Sequence, residues 1–142
     1  MDLHDARPGD AIELPEGIYT LAALTHCRAA GLAWLVWELA PEQGAPVLLA
    51  LIDDGVYRAK LDAAEALPNE PELTVEHMIY RLREQGEARG ERSTHDGEHD
   101  FWLGQYRYYD RGDRALIFMD VHGRIQRLAA EPMDAQLVRI YQ

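Results

Sequence analysis

The chain has a single cysteine, Cys27, in 142 residues. Without a second thiol an internal disulfide is excluded, in keeping with a reducing compartment. No His or Asn constellation surrounds Cys27, which therefore reads as a small apolar strand residue and not as a reactive thiol. Long apolar runs are missing too: nothing approaches the roughly 20 residues that a membrane helix needs. The opening MDLHDARPGD lacks the basic-then-apolar plan of an export signal, which predicts a cytoplasmic protein with no transmembrane segment. Basic residues are in deficit. Fourteen Lys and Arg face 25 Asp and Glu, for a formal charge of −11, and a surface of that sign repels phosphate backbones and anionic lipid. Nucleic acid is not an expected partner, whereas another protein is. Basic residues do gather between Arg81 and Arg92 and between Arg107 and Arg114, but acids are interleaved in both stretches, as on a solvated strand face.

Catalytic signatures are equally sparse. There is no Gly-x-Ser-x-Gly elbow and no phosphate-cradling glycine loop. Ser93-Thr94-His95 sets a hydroxyl beside an imidazole without the rest of a triad. Asp53-Asp54 and Asp120 could in principle divide acid and base work, but each stands at a hairpin signal that explains it without chemistry. His4, His26, His77 and His122 are scattered. The best chemical candidates lie in His95-Asp96-Gly97-Glu98-His99-Asp100. An H-x-x-x-H spacing on a helix would turn two imidazoles to one face for zinc, making His95, His99 and Asp100 candidate metal ligands. Gly97 and its Asp and Ser neighbours favour an inserted hairpin tip that turns at Asp96-Gly97. No catalytic residue and no cofactor is assigned, and the expected protein is not an enzyme.

What the sequence does contain is a repeat. Ile18-Tyr19-x-Leu21 recurs as Ile79-Tyr80-x-Leu82, Ala33-Trp34-Leu35 as Phe101-Trp102-Leu103, and Leu48 to Gly55 as Leu116 to Gly123. The first pair is 61 positions apart and the others 68, so an insertion of seven residues before Trp102 accounts for the difference. The apolar content of 47% is enough for a core. A mainly β fold follows: two duplicated small antiparallel units, SH3-like or half-barrel meanders with little helix, packed together. They cover residues 1–67 and 73–142, joined by a short linker at 68–72.

Within the first unit, Ala11 to Leu14, Ile18 to about Cys27, Leu32 to Leu39, Val47 to Ile52 and Val56 to Lys60 are the expected strands. Thr20 to Leu39 passes for a helix on Ala and Leu content alone. Its counterpart, Phe101 to Tyr109, alternates like a strand, and the comparison assigns Leu32 to Leu39 to a strand as well. Leu61 to Leu67 (LDAAEAL) reads as one helical turn. In the second unit Leu73-Thr74-Val75 and Met78 to about Ala88 are expected to pair around a Glu76-His77 turn, although Thr74 could instead cap a helix. Ser93 to Asp100 is expected as an exposed loop, Arg114 to Val121 and Arg124 to Ala129 as a hairpin, and Leu137 to Tyr141 as a closing strand. Trp102, Tyr106 and Tyr108 fall on one strand face and Tyr109 on the other; such aromatics serve as core or as anchors for a protein partner.

The order of these landmarks resembles the DUF4178 family of bacterial proteins. The resemblance rests on Gly9-Asp10, Tyr19, Leu73-Thr74, Tyr80-Arg81-Leu82, Gly86-Glu87-Ala88-Arg89-Gly90, Tyr106-Arg107-Tyr108-Tyr109-Asp110 and Leu116 to Gly123. Met119 stands where the family usually has Trp, and Glu131-Pro132 where it often has Gly. The resemblance implies two related barrel-like or half-barrel sheets and transfers no active site. Genes of the family often lie near membrane-stress components resembling the phage-shock protein PspA, which implies an accessory or adaptor role. Two alternatives stand beside that expectation. One is an acidic inhibitor or immunity-type protein that masks a basic toxin or nuclease; the other is a metal-dependent hydrolase using the His95 to Asp100 loop. A homodimer through strand edges is compatible with all three.

Overall fold

The computed structural model describes residues 2–142. Its strands are β1 (Ala11–Leu14), β2 (Gly17–Ala29), β3 (Ala33–Pro41), β4 (Val47–Ile52), β5 (Gly55–Ala64), β6 (Glu72–Val75), β7 (Met78–Thr94), β8 (His99–Arg111), β9 (Arg114–Val121), β10 (Arg124–Met133) and β11 (Arg139–Tyr141). Short 3-10 turns at Leu3–Asp5 and Ala135–Leu137 are the only helical segments among the described residues, and no helix is long and apolar enough to cross a membrane. The mainly β expectation therefore holds.

All strands join one antiparallel sheet in the order β11-β1-β2-β3-β4-β5-β10-β9-β8-β7-β6, and a further pairing of β2 with β7 closes its central eight strands into a barrel. Two seams unite the halves. Along β5 and β10 the ladder runs from Ile125↔Ala64 to Met133↔Val56, and along β2 and β7 from Ala23↔Thr94 to Ala29↔Ala88. β2 and β7 are long because each pairs with three strands, one along one edge and two in succession along the other. The start of β2 pairs with β1 and the start of β7 with β6, while their far ends pair with each other. Bulges at Leu21/Ala23 in the β2–β3 ladder and at Leu82/Glu84 in the β7–β8 ladder interrupt pairings that continue on both sides, and extra residues of this kind bend a strand as at barrel corners.

That bending creates three cores. Alternate residues of the barrel strands, among them Cys27, Trp34, Val36, Ile52, Trp102, Tyr106, Ile117 and Leu128, fill the interior. Trp37, Leu39, Leu49 and Leu51 face outward from β3 and β4, where Ile12, Leu21 and Val138 cover them. Leu116, Phe118 and Tyr109 likewise lie beneath Tyr80 and Leu73. β3 and β4 are buried on both faces, so they carry continuous apolar runs in place of alternation.

The Glu76-His77 hairpin forms as expected, with both residues left-handed at φ 52° and 66°, the backbone of a two-residue turn. The expected strand at Leu32 to Leu39 is β3. Two expectations are corrected. Leu61 to Ala64 continue β5 instead of forming a helical turn, because the ladder to β10 supplies their backbone partners and outweighs a small helix preference. Ser93 to Asp100 is mostly ribbon: β7 runs to Thr94 and β8 starts at His99, leaving a tight turn at residues 95–98 with Gly97 at φ 90°. β11 pairs with β1, so the end of the chain completes the first half's edge.

Candidate functional site

Across β2, β7 and β8 the register sets residues in rows, and period two sends alternate rows to opposite faces. Cys27, Gly90 and Trp102 form one inward row. A Cβ on Gly90 would lie 2.1 Å from the Trp102 indole, so only glycine leaves the ring room against the barrel wall. The rows on either side, His26-Glu91-Phe101 and Arg28-Arg89-Leu103, face outward. Phe101 is 67% exposed and Leu103 65%. Arg28 stands directly opposite Arg89, both are exposed, and neither is within ion-pairing distance of a carboxylate among the described residues. Like charges opposite one another across strands cost stability, which makes this face a place where packing alone does not explain the residues.

The second feature is the end of the barrel where β4 and β10 begin. A cavity of about 380 Å³ opens there and receives side chains from all eight barrel strands, with Cys27, Val36, Trp102 and Met119 at its depth and Glu38, Arg92, Asp100 and Gln126 toward solvent. Arg92 donates to Glu38 through Nε at 2.7 Å and Nη2 at 2.9 Å, a fork-to-fork pair. Hydrogen bonding to Glu38 holds the guanidinium above its ordinary pKa, with Asp100 and Glu98 adding to the effect. Asp100 also meets Nε2 of His122 at 3.0 Å. Burial pushes the Cys27 thiol up to about 12. The opposite end is filled: Trp34 and Tyr106 pack with ring centroids 5.5 Å apart and planes tilted by 38°, and Tyr57 and Tyr108 pack beside them. Burial, followed by Asp110, pushes the Tyr108 hydroxyl up to about 12.

The candidate metal ligands go separate ways. His95 lies over Gly9, where a Cβ would be 2.7 Å from Nδ1. His99 Nδ1 is 3.3 Å from the Ser93 hydroxyl, and Asp100 is held by His122. Among the described residues no group of three or more His, Cys, Asp or Glu could hold a metal ion. Of the aromatic candidates, Trp102 and Tyr106 are buried inside the barrel, with Tyr108 partly buried beside them. Tyr109 is buried in the outer core, where its hydroxyl donates to the Glu70 carbonyl at 2.6 Å and its ring meets Phe118 edge-on.

Sequence reasoning passed over Phe101 and Leu103. The signal was the alternation itself, because assigning Trp102 to the interior sends both neighbours outward. The Glu38–Arg92 pair left no local trace, since 54 positions separate its members. No family model, curated protein or solved structure matches the chain.

Proposed function

We propose that the chain is a non-enzymatic binding or adaptor module that docks another protein on the outer face of β2, β7 and β8. The observation that carries this reading is the pairing of exposed Phe101 and Leu103 with Arg28 and Arg89. Apolar anchors of this size beside arginines are the usual centre of a protein interface. Glu91, which stands between His26 and Phe101 on this face, offsets one of the two arginines and leaves a small positive excess on a chain of charge −11, which suits a segment carrying carboxylates next to apolar side chains. A basic toxin or nuclease would meet Arg28 and Arg89 unfavourably, which ranks the inhibitor reading lower. The separation of His95, His99 and Asp100 gives the hydrolase reading no support. Docking on the face is also favoured over docking on an edge, because the edge strands β6 and β11 are short and offer few free backbone groups. The duplicated origin of the two halves, membership of the DUF4178 family, a cytoplasmic location and an accessory role in membrane stress belong to the same proposal and rest on the sequence landmarks.

The test is affinity capture from the native cell, followed by reconstitution of the binary complex with the identified partner. Phe101→Asp/Leu103→Asp and Arg28→Glu/Arg89→Glu should each weaken that complex by about tenfold or more, as loss of interface anchors does, and leave the melting temperature unchanged. Equal affinity for wild type and both variants, or no specific partner, contradicts the proposal.

A further inference from the structure

An eight-stranded barrel has an interior just wide enough for side chains to fill it or for one small ligand to enter. The two ends of this barrel use that space differently. One end is closed by Trp34, Tyr106 and Tyr57. At the other, Gly90 leaves room for the Trp102 indole against the wall, and the lumen ahead of it stays open over about 380 Å³. That volume lies at the small end of the range for ligand pockets, roughly 300–1,000 Å³, and its form, an apolar floor with a few convergent polar groups, is the one such pockets share.

The rim selects the ligand's charge. Its one guanidinium, on Arg92, is paired with Glu38 through both carboxylate oxygens, so the two charges offset each other although other N–H groups of the guanidinium remain free. Asp100 lines the same rim, and its single hydrogen-bonding partner is the exposed His122. With Glu38 offset by Arg92, the carboxylate of Asp100 leaves the opening with one negative charge in excess. The Gln126 amide has no hydrogen-bond partner among the described residues and adds a neutral acceptor. An ammonium group placed there gains from the carboxylates, and its apolar body replaces water over Val36, Trp102 and Met119.

We propose that the open end of the barrel binds a small apolar amine, the body seated against Trp102 and Met119 and the ammonium between Glu38 and Asp100. The site is separate from the outer face of β2, β7 and β8 and stands or falls independently of it.

Two probes of matched shape and opposite charge test the proposal: 2-phenylethylamine and phenylacetate, titrated into the full chain and followed by amide and indole N–H chemical shifts. The amine should give saturable shifts at Cys27, Trp102 and Met119 and bind about tenfold tighter than the acid, the ratio that one favourable charge contact supports. Val36→Phe should abolish binding of both, and Glu38→Gln should remove most of the preference for the amine while its spectrum stays that of a folded protein. The proposal is overturned if no saturable shift develops by about 10 mM of the amine. Tighter binding of phenylacetate, or an unchanged preference in Glu38→Gln, overturns it as well, and the latter result is decisive even if Val36→Phe does not fold.

Discussion

Cys27 lies on the lumen side of β2 opposite Gly90, and burial alone pushes its thiol from 9.0 to about 12. The direction fixes a consequence for stability. Below about pH 9 the thiol is neutral in both folded and unfolded chains and has no effect. Above it the unfolded thiol ionises while the folded one keeps its proton, so stability falls progressively as the pH rises from 9 toward 12. Tyr108 acts in the same sense from 10.0 to about 12, and burial also raises Tyr57, Tyr106 and Tyr109. At pH 11 the thiol alone withdraws on the order of 2 kcal/mol, or roughly 4–8 °C of melting temperature for a chain of this size. Thermal melts of wild type and Cys27→Ala between pH 8 and pH 11 check this: the wild type should fall more steeply above pH 9, and parallel curves would refute the assignment.

At the scale of single elements, the β6–β7 hairpin is held against its own turn chemistry. Glu76 and His77 both adopt left-handed backbone, which costs an L-residue roughly 1–2 kcal/mol. The ladder from Glu72↔Arg81 to Val75↔Met78 and the packing of Leu73, Val75 and Met78 on the outer core offset it. Replacing the pair by Asn-Gly relieves that strain, and Glu76→Asn/His77→Gly should raise stability by about 1 kcal/mol in a denaturant titration; a loss of stability would show that the side chains themselves hold the turn. The hairpin was legible in the sequence because polar turn residues separate two apolar stretches. β2 and β3 were harder to read. Their outward residues Leu24, Leu35, Trp37 and Leu39 are buried beneath other strands, which erases period two and leaves an Ala- and Leu-rich run that mimics a helix. β8 alternates cleanly because its outer face is open at Phe101 and Leu103, and the comparison of halves borrowed that clarity. The end of β5 was misread for the opposite reason. Leu61 to Ala64 is a strand only because β10, more than 60 positions away, pairs with it.

At the scale of the molecule, closure is what brings the functional features into being. The seam between β2 and β7 sets Arg28 beside Arg89 on the outside, and on the inside it sets Cys27 beside Gly90 and Thr25 beside Arg92. No local pattern announces such a seam, because its partners lie 59 to 71 positions apart. Asp100 and Trp102 were singled out in the sequence for other reasons, and only the closed barrel shows that both line one opening. The decisive measurement is therefore the set of cross-strand nuclear Overhauser effects between β2 and β7 in a uniformly labelled sample. Contacts at Thr25–Arg92, Cys27–Gly90 and Ala29–Ala88, together with slow amide exchange along both strands, are the expected result. Their absence, in a sample that still shows the β5–β10 contacts from Ala64–Ile125 to Val56–Met133, would mean an open sheet with neither the docking face nor the cavity.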